Sequence, residues 1–202
     1  MTGVGDIVLA STSDIRRRLL ASAGIAVRSV PPRVDEAAIK RTFGQVVGTD
    51  IRKLADVLAA AKAEAVSSHD PAAVVIGADQ ILLMHDRPFD KPQNLQEAWK
   101  QLSLLRGNTH HLITAVAVAR RGAVVWNDRA VAKLTMRHFS DEFLAGYLAS
   151  LGKDALTSVG AYQLEGRGVQ LFDDIDGDYF AILGLPLLPL LSFLRREGCL
   201  PE

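Results

Sequence analysis

The segment Ala73-Val-Val-Ile-Gly-Ala-Asp79-Gln80-Ile-Leu-Leu83 decides the fold class of this chain. Its consecutive β-branched residues, Val74 to Ile76, are typical of a strand that is buried on both faces. Asp79 then stands between two apolar runs, where a carboxylate costs free energy unless it has a partner. Asp79 either closes a turn at the end of this strand or takes part in binding or catalysis. The second interpretation is open because α/β sheets of this kind bind their ligands outside the strand ends.

The rest of the chain alternates between strand and helix patterns. Apolar runs predict further strands at 6–10, 25–30, 111–119, 123–126, 130–136 and 169–172. Apolar residues three and four positions apart predict helices at 15–21, 50–67, 95–105 and 141–151, and a final helix that residues 184–186 start and Gly198 stops. Residues 33–36 are expected to form a loop, and the acidic stretch 173–178 a turn. This order favours an α/β fold with a mixed, twisted sheet flanked by helices.

Length and composition limit the class of protein. A chain of 202 residues is expected to form one domain, 1–202, with two lobes. Lys plus Arg equals Asp plus Glu, and this lack of net charge argues against binding of a nucleic acid polymer. No segment is long and apolar enough for a membrane span and no secretory signal is recognised, so we expect a cytoplasmic enzyme. Cys199 is the single cysteine, which excludes a disulfide framework and a cysteine-based metal site.

The start of the first predicted helix has the features of an anion site. Ser11 and Ser13 precede the helix, and Ser13 or Asp14 can cap its N–H groups. Arg16 lies in the first turn, where the helix dipole disfavours a cation, so a second reason for its presence is expected. The alternative is a solvated basic face that Arg16 forms with the next two arginines.

Two lysines and a pair of acids are further candidates. Lys62 lies in an alanine-rich helix, where a solvated lysine is ordinary. Lys91 precedes Pro92, which forces it into an extended conformation that directs its side chain. Asp35 and Glu36 can bind a divalent cation, remain exposed or begin a helix.

Eight short motifs, in order from about residue 7 to 198, resemble the Maf family of nucleoside triphosphate pyrophosphatases. They are Leu9-Ala-Ser11-Thr-Ser13 with Arg16 and Leu19-Leu20; Val34-Asp35-Glu36; Leu58 to Lys62-Ala63; Ile76-Gly-Ala-Asp79-Gln80; Lys91-Pro92; Gly160-Ala-Tyr162; Glu165-Gly166; and Gly184-Leu-Pro186. The resemblance implies a Maf or ITPase-like fold with two lobes around a central cleft, and commonly a homodimer. It implies hydrolysis of a nucleoside triphosphate to the monophosphate and pyrophosphate with a divalent cation, Mg²⁺ or Mn²⁺. Family members are regarded as house-cleaning enzymes of nucleotide metabolism and were first linked to septum formation.

The resemblance also implies roles for individual residues. Asp79 matches the proposed catalytic proton acceptor, and the residues alone leave open whether it binds the metal instead. The metal positions are matched by Glu36 and Asp79. The phosphate-binding positions are matched by Ser11, Ser13, Arg16, Lys62 and Lys91.

Three positions bear on the choice of substrate. The subgroup associated with dTTP and UTP has Arg, Thr and Gln where this chain has Ile15, Gln80 and Glu165. The subgroup associated with 7-methyl-GTP has an apolar residue at the position of Ile15, Asp-Gln at 79–80 and Glu-Gly at 165–166, and this chain matches it at all three. That subgroup usually has Pro where this chain has Asp14. The Glu165 carboxylate can accept two N–H groups of guanine, and it gains further when methylation at N7 makes the base cationic. We expect 7-methyl-GTP; the alternatives are a dTTP/UTP pyrophosphatase and a non-catalytic nucleotide-binding regulator of cell division.

Overall fold

The computed structural model describes residues 6–46, 48 and 50–201. The strands are β1 (Ile7–Ala10), β2 (Arg28–Ser29), β3 (Val74–Met84), β4 (Arg87–Phe89), β5 (Thr109–Arg120), β6 (Ala123–Met136) and β7 (Phe172–Asp176). The helices are α1 (Asp14–Ser22), α2 (Glu36–Gln45), α3 (Leu54–Ser67), α4 (Leu95–Leu105), α5 (Asp141–Leu151), α6 (Tyr179–Ile182) and α7 (Leu187–Arg196). Short 3-10 turns occupy Ile51–Lys53, Gly152–Leu156, Val159–Ala161 and Arg167–Leu171.

The sheet is mixed and flanked by helices, so the predicted α/β class is confirmed. Over the described residues the strand order is β2-β1-β3-β5-β6-β7, and β4 pairs with β3 outside this path. β1 runs parallel to both β2 and β3, whereas the β3–β4 and β6–β7 pairs are antiparallel. Within the described ranges, every helix is too short or too polar to cross a membrane.

The chain divides into two compact units. The first unit holds the described residues of Met1–Asp79, Thr114–Ala130 and Gly184–Glu202, and the second holds Gln80–Ile113 and Val131–Leu183. Fully buried side chains of the first unit include Val8, Leu9, Leu20, Leu58 and Ile76. Those of the second unit include Leu82, Leu102, Leu105, Leu112 and Leu134. That these units are the two lobes of one domain stays a prediction.

Asp79 lies within β3, so the interpretation that it closes a turn at the end of this strand is wrong. β3 continues for eleven residues because its second half pairs with β4. The strand that ends here is the neighbouring β1, whose last residue, Ala10, pairs with Gly77. The carboxylate therefore lies just beyond the carboxyl end of a parallel neighbour, which is where α/β sheets accommodate ligands.

Other segments also differ from the sequence-based expectation. The predicted strand 169–172 and acidic turn 173–178 are wrong, because a 3-10 turn occupies Arg167–Leu171 and β7 follows it. Asp176 of β7 pairs with Lys133 of β6, and a cross-strand pair of opposite charge stabilises an otherwise acidic strand. β6 is one strand where two were expected, and α2 begins at Glu36 within the expected loop.

Gly77 allows α3 to pack directly on β3. A Cβ atom at this position would lie 2.3 Å from the carbonyl oxygen of Ala59 and 2.7 Å from the backbone nitrogen of Ala63. Only glycine tolerates so close an approach of another backbone. Lys62 lies between Ala59 and Ala63 in α3, and Asp79 is two residues beyond Gly77 in β3. Gly77 therefore determines how closely Lys62 and Asp79 can approach each other.

We expect Gly77→Ala to lower the free energy of unfolding by about 1–3 kcal/mol, because the added methyl group overpacks the contact between α3 and β3. Urea denaturation followed by circular dichroism measures the change. Gly146→Ala is the control, because Gly146 is exposed in α5 and a Cβ atom there would have no other atom within 4 Å. That control should gain about 0.5–1 kcal/mol from helix propensity. A Gly77→Ala protein as stable as the parent would contradict the role given to this glycine.

Candidate active site

An ammonium group bridges two carboxylates in the first unit. Nζ of Lys62 lies 2.5 Å from Oδ1 of Asp79 and 2.9 Å from Oε1 of Glu36. Lys62 and Asp79 are 7% and 8% exposed, whereas the side chain of Glu36 is 45% exposed. A buried charge is tolerated only when it is paired, so Lys62 and Asp79 each require the other. The interpretation of Lys62 as an ordinary, solvated helix lysine is therefore wrong.

The start of α2 separates the roles of the two adjacent acids. Asp35 is the N-cap, and its Oδ1 accepts a hydrogen bond of 2.8 Å from the backbone N–H of Ala38. Glu36 is the first residue of the helix, and its side chain reaches Lys62. Of the interpretations left open by the sequence, the pair begins a helix, and one of its acids joins the charged cluster.

Arg16 joins two backbone segments of the first unit. Its Nε donates to the carbonyl oxygen of Gly184 at 2.7 Å, and its Nη1 donates to that of Ala78 at 2.8 Å. Burial lowers the pKa of the Arg16 guanidinium, while the charges of Asp79 and Glu36 act to raise it. Arg16 therefore lies within electrostatic range of both carboxylates, and the interpretation as a solvated face does not hold for it.

The start of α1 follows directly on β1. Ser13 is the N-cap, and its Oγ accepts from the backbone N–H of Arg16 at 3.5 Å. Ser11 is 7% exposed, and its Oγ accepts from the backbone N–H of Ser13 at 3.1 Å. Ile15, expected to bear on substrate choice, is half-buried in the same first turn. A helix N-terminus favours anions such as phosphate, and this one begins where β1 ends beside β3.

The other predicted site residues, Gln80, Lys91 and Glu165, belong to the second unit. Nε2 of Gln80 donates to the carbonyl oxygens of Ala181 and Ile182, both at 3.0 Å. These bonds hold the C-terminal end of α6, so Gln80 has a role within the protein that the sequence did not indicate. Lys91, between β4 and α4, and Glu165 are both exposed.

A buried pair in the second unit was missed by sequence reasoning. His110 has no exposed surface, and its Nε2 lies 2.8 Å from Oη of Tyr162. Burial, helped by the nearby charge of His111, lowers the pKa of His110 to about 4, so its ring is neutral at physiological pH. The signal available in the sequence was a histidine at the start of a long apolar strand, where an unpaired polar side chain is costly.

The donor set of the first unit fits a hard divalent cation in part. Over the described residues, no group of three or more His, Cys, Asp and Glu side chains is arranged to hold a metal ion. Glu36 and Asp79 nevertheless converge on one ammonium group, so their oxygens lie close together. Mg²⁺ is commonly held by one or two carboxylates, with substrate phosphates and water completing its shell, and this pair meets that requirement.

The fold and these side chains define an α/β protein in which a helix N-terminus, a feature that favours anions, follows β1, and the neighbouring strand β3 carries a buried, amine-paired carboxylate. The sequence profile described as Maf-like protein matches residues 6–197. A 7-methyl-GTP pyrophosphatase of Rhizobium etli is 47% identical over 192 residues, which are 95% of this chain and 96% of the relative. One of Brucella abortus is 46% identical, over 96% and 97% of the two chains. A nucleoside triphosphate pyrophosphatase of Granulibacter bethesdensis is 46% identical, over 96% and 98%. The chain belongs to the Maf family, which confirms the resemblance seen in its motifs.

Replacing Lys62 with methionine should destabilise the protein by about 3–5 kcal/mol, because the buried Asp79 carboxylate loses its closest cation. Adding Asp79→Asn to Lys62→Met should recover part of this loss, since no unpaired charge then remains at that position. Chemical denaturation of the two variants measures both effects.

Lys100→Met is the matched control, because Lys100 is exposed on α4. We expect it to change stability by no more than about 0.5 kcal/mol. Equal stability of the Lys62 and Lys100 variants would contradict the buried ion pair.

Proposed function

We propose that this protein hydrolyses a nucleoside triphosphate to the monophosphate and pyrophosphate, a house-cleaning reaction for which 7-methyl-GTP is the preferred substrate. The observation that carries the proposal is the cluster of Lys62, Asp79 and Glu36, close to Arg16 and the start of α1. Cations and helix N–H groups suit a polyphosphate, and a buried carboxylate suits the handling of a proton or a metal ion. The pyrophosphatase names of the relatives support the same reaction.

In this reaction a water oxygen attacks the α-phosphorus, and the bond from that phosphorus to the α–β bridging oxygen breaks. Pyrophosphate leaves, and the proton of the water passes to a base. Asp79 accepts this proton in our proposal, with Lys62 orienting its carboxylate through Oδ1. Arg16, the start of α1 and, by its match to the family motif, Lys91 position the phosphates and offset only part of their charge, because positioning and charge neutralisation supply most of the catalysis of phosphoryl transfer.

The charge of the cluster supports a requirement for a divalent cation. Lys62 and Arg16 are balanced by Asp79 and Glu36, so these four side chains carry no net charge when all are ionised. A triphosphate brings several negative charges that such a neutral cluster cannot offset. With Asp79 as the base, Glu36 and the substrate phosphates would hold Mg²⁺ or Mn²⁺, which would supply positive charge to the phosphates. The homodimer and the cytoplasmic location that the family implies belong to the same proposal.

The direct test is a panel of nucleoside triphosphates, including 7-methyl-GTP, GTP, UTP and dTTP, with Mg²⁺ or Mn²⁺. Pyrophosphate and orthophosphate are measured separately. We expect pyrophosphate, fastest from 7-methyl-GTP, and a loss of at least about a hundredfold in kcat for Asp79→Asn, because a general base contributes about that much. Faster turnover of dTTP and UTP would favour the other family subgroup.

Asp173→Asn is the control for this panel, because Asp173 is an exposed acid of β7. It should keep the parent activity. Orthophosphate as the first product would indicate a different phosphatase. Nucleotide binding without any product, unchanged in Asp79→Asn, would indicate a non-catalytic binding protein.

Glu165 is proposed to read the base. Glu165→Gln keeps the shape but removes the charge that favours a cationic base, so we expect the ratio of kcat/KM for 7-methyl-GTP to that for UTP to fall by about three- to tenfold. Glu142→Gln, at an exposed position in the first turn of α5, should leave the ratio unchanged. An unaltered ratio in Glu165→Gln would rule out this role.

A further inference from the structure

The segment 162–172, called here the Glu165 loop, presents the exposed carboxylate of Glu165 between a buried tyrosine, Tyr162, and a half-buried phenylalanine, Phe172. Tyr162, three positions before Glu165, is 5% exposed, and Ser158 Oγ donates to its carbonyl oxygen at 2.8 Å. Phe172 ends the loop and is the first residue of β7. The loop thus has fixed ends and an accessible middle, and the position of Glu165 depends on where the ends are held.

His110, the second residue of β5, contacts both ends of the Glu165 loop. Its ring centroid lies 5.6 Å from that of Tyr162 and 6.0 Å from that of Phe172, and the two aromatic rings meet edge to face at 5.0 Å. The hydrogen bond between His110 Nε2 and Tyr162 Oη also fixes how these two side chains are oriented toward each other. The other ring nitrogen, Nδ1, is buried and has no hydrogen-bond partner among the described residues. An apolar side chain would fill this space and leave no buried nitrogen without a hydrogen-bond partner. We therefore assign the hydrogen bond between His110 and Tyr162 a role beyond packing.

The backbone just before the Glu165 loop is strained next to this contact. Ala161 has a φ of 59°, in the left-handed region that a residue with a Cβ rarely enters. Gly160 has a φ of 76°, and a Cβ atom there would lie 2.6 Å from Cδ1 of Leu82 and 2.7 Å from Cε1 of Tyr162. Strained backbone persists only where the surroundings hold it in place, and it concentrates at functional sites. Tyr162 follows these two residues directly, so its hydrogen bond with His110 lies next to the strained backbone.

We propose that His110 is a positioning residue for the choice of nucleobase, acting through Tyr162 to fix the loop that carries Glu165. This rests on the proposed function, in which Glu165 reads the base. Hydrogen bonds weaken steeply with distance and misalignment, so a small displacement of the loop removes the preference that the carboxylate gives. The phosphate chemistry assigned to Asp79 does not depend on this contact.

The test is the ratio of kcat/KM for 7-methyl-GTP to kcat/KM for UTP in Tyr162→Phe, His110→Phe and the double variant. Each single substitution should lower the ratio at least threefold. The double variant should lower it no further, because both substitutions break the same bond. His110→Gln should recover most of the ratio, since the glutamine amide can place a polar atom where Nε2 stood.

Thr109→Val is the matched control for stability. Thr109 precedes His110 in β5, and its Oγ1 lies 2.9 Å from that of Thr135, so this variant also loses a hydrogen bond of the second unit. It should lower the melting temperature as much as Tyr162→Phe does, yet keep the substrate ratio. A similar fall of the ratio in Thr109→Val would mean general loosening of the unit and would overturn the proposal.

Glu165→Gln separates this inference from the proposed function. If Glu165→Gln lowers the ratio and Tyr162→Phe does not, the positioning role is wrong while the reading of the base by Glu165 stands. If Glu165→Gln leaves the ratio unchanged, both ideas fail together. Tyr162→Phe removes a single oxygen atom, so it keeps the test decisive even if His110→Phe does not fold.

Discussion

The buried ion pair between Lys62 and Asp79 is the interaction on which the first unit depends. Neither charge is tolerated in the interior without the other, so α3 has to pack close enough to β3 for them to meet. Gly77 makes that approach possible, because any side chain at this position would clash with the backbone of α3. Glu36 supplies a second acceptor for the same ammonium group from the start of α2. The packing of α3 on β3 and the ion pairs of Lys62 thus both fix the position of the Asp79 carboxylate.

The two units carry different parts of the proposed activity. The residues assigned to phosphate chemistry, with the exception of Lys91, belong to the first unit. Of the three positions assigned to substrate choice, Gln80 and Glu165 belong to the second unit and Ile15 to the first. Asp79 and Gln80 are adjacent in β3, so one strand contributes to both parts. The amide of Gln80 is occupied by two carbonyl oxygens of α6, which indicates that its influence on substrate choice is indirect. Glu165, being exposed, is the better candidate for contact with the base.

Local patterns predicted what local forces determine. The apolar spacing of α4 and α5 gave their bounds correctly, and the residues that cap their starts, Asn94 and Ser140, are of the types that local composition favours there. The continuity of β3 and the existence of β7 were missed, because they come from pairing with other strands that overrides the local composition. Family motifs named Lys62, Asp79 and Glu36, which the structure brings together. The contact of His110 with Tyr162 joins segments far apart in the sequence, so no local pattern could reveal it.

The neutrality of the cluster formed by Lys62, Arg16, Asp79 and Glu36 is the central reason for assigning a cation-dependent reaction on a polyphosphate. Its most direct test is the Mg²⁺ dependence of pyrophosphate release from 7-methyl-GTP by the unaltered protein after treatment with EDTA. Without added cation, we predict no release above the uncatalysed rate, because the lysine and arginine charges are already cancelled by the two carboxylates. Adding Mg²⁺ should restore turnover along a saturable curve. Full turnover in excess EDTA would contradict the role given to the cation.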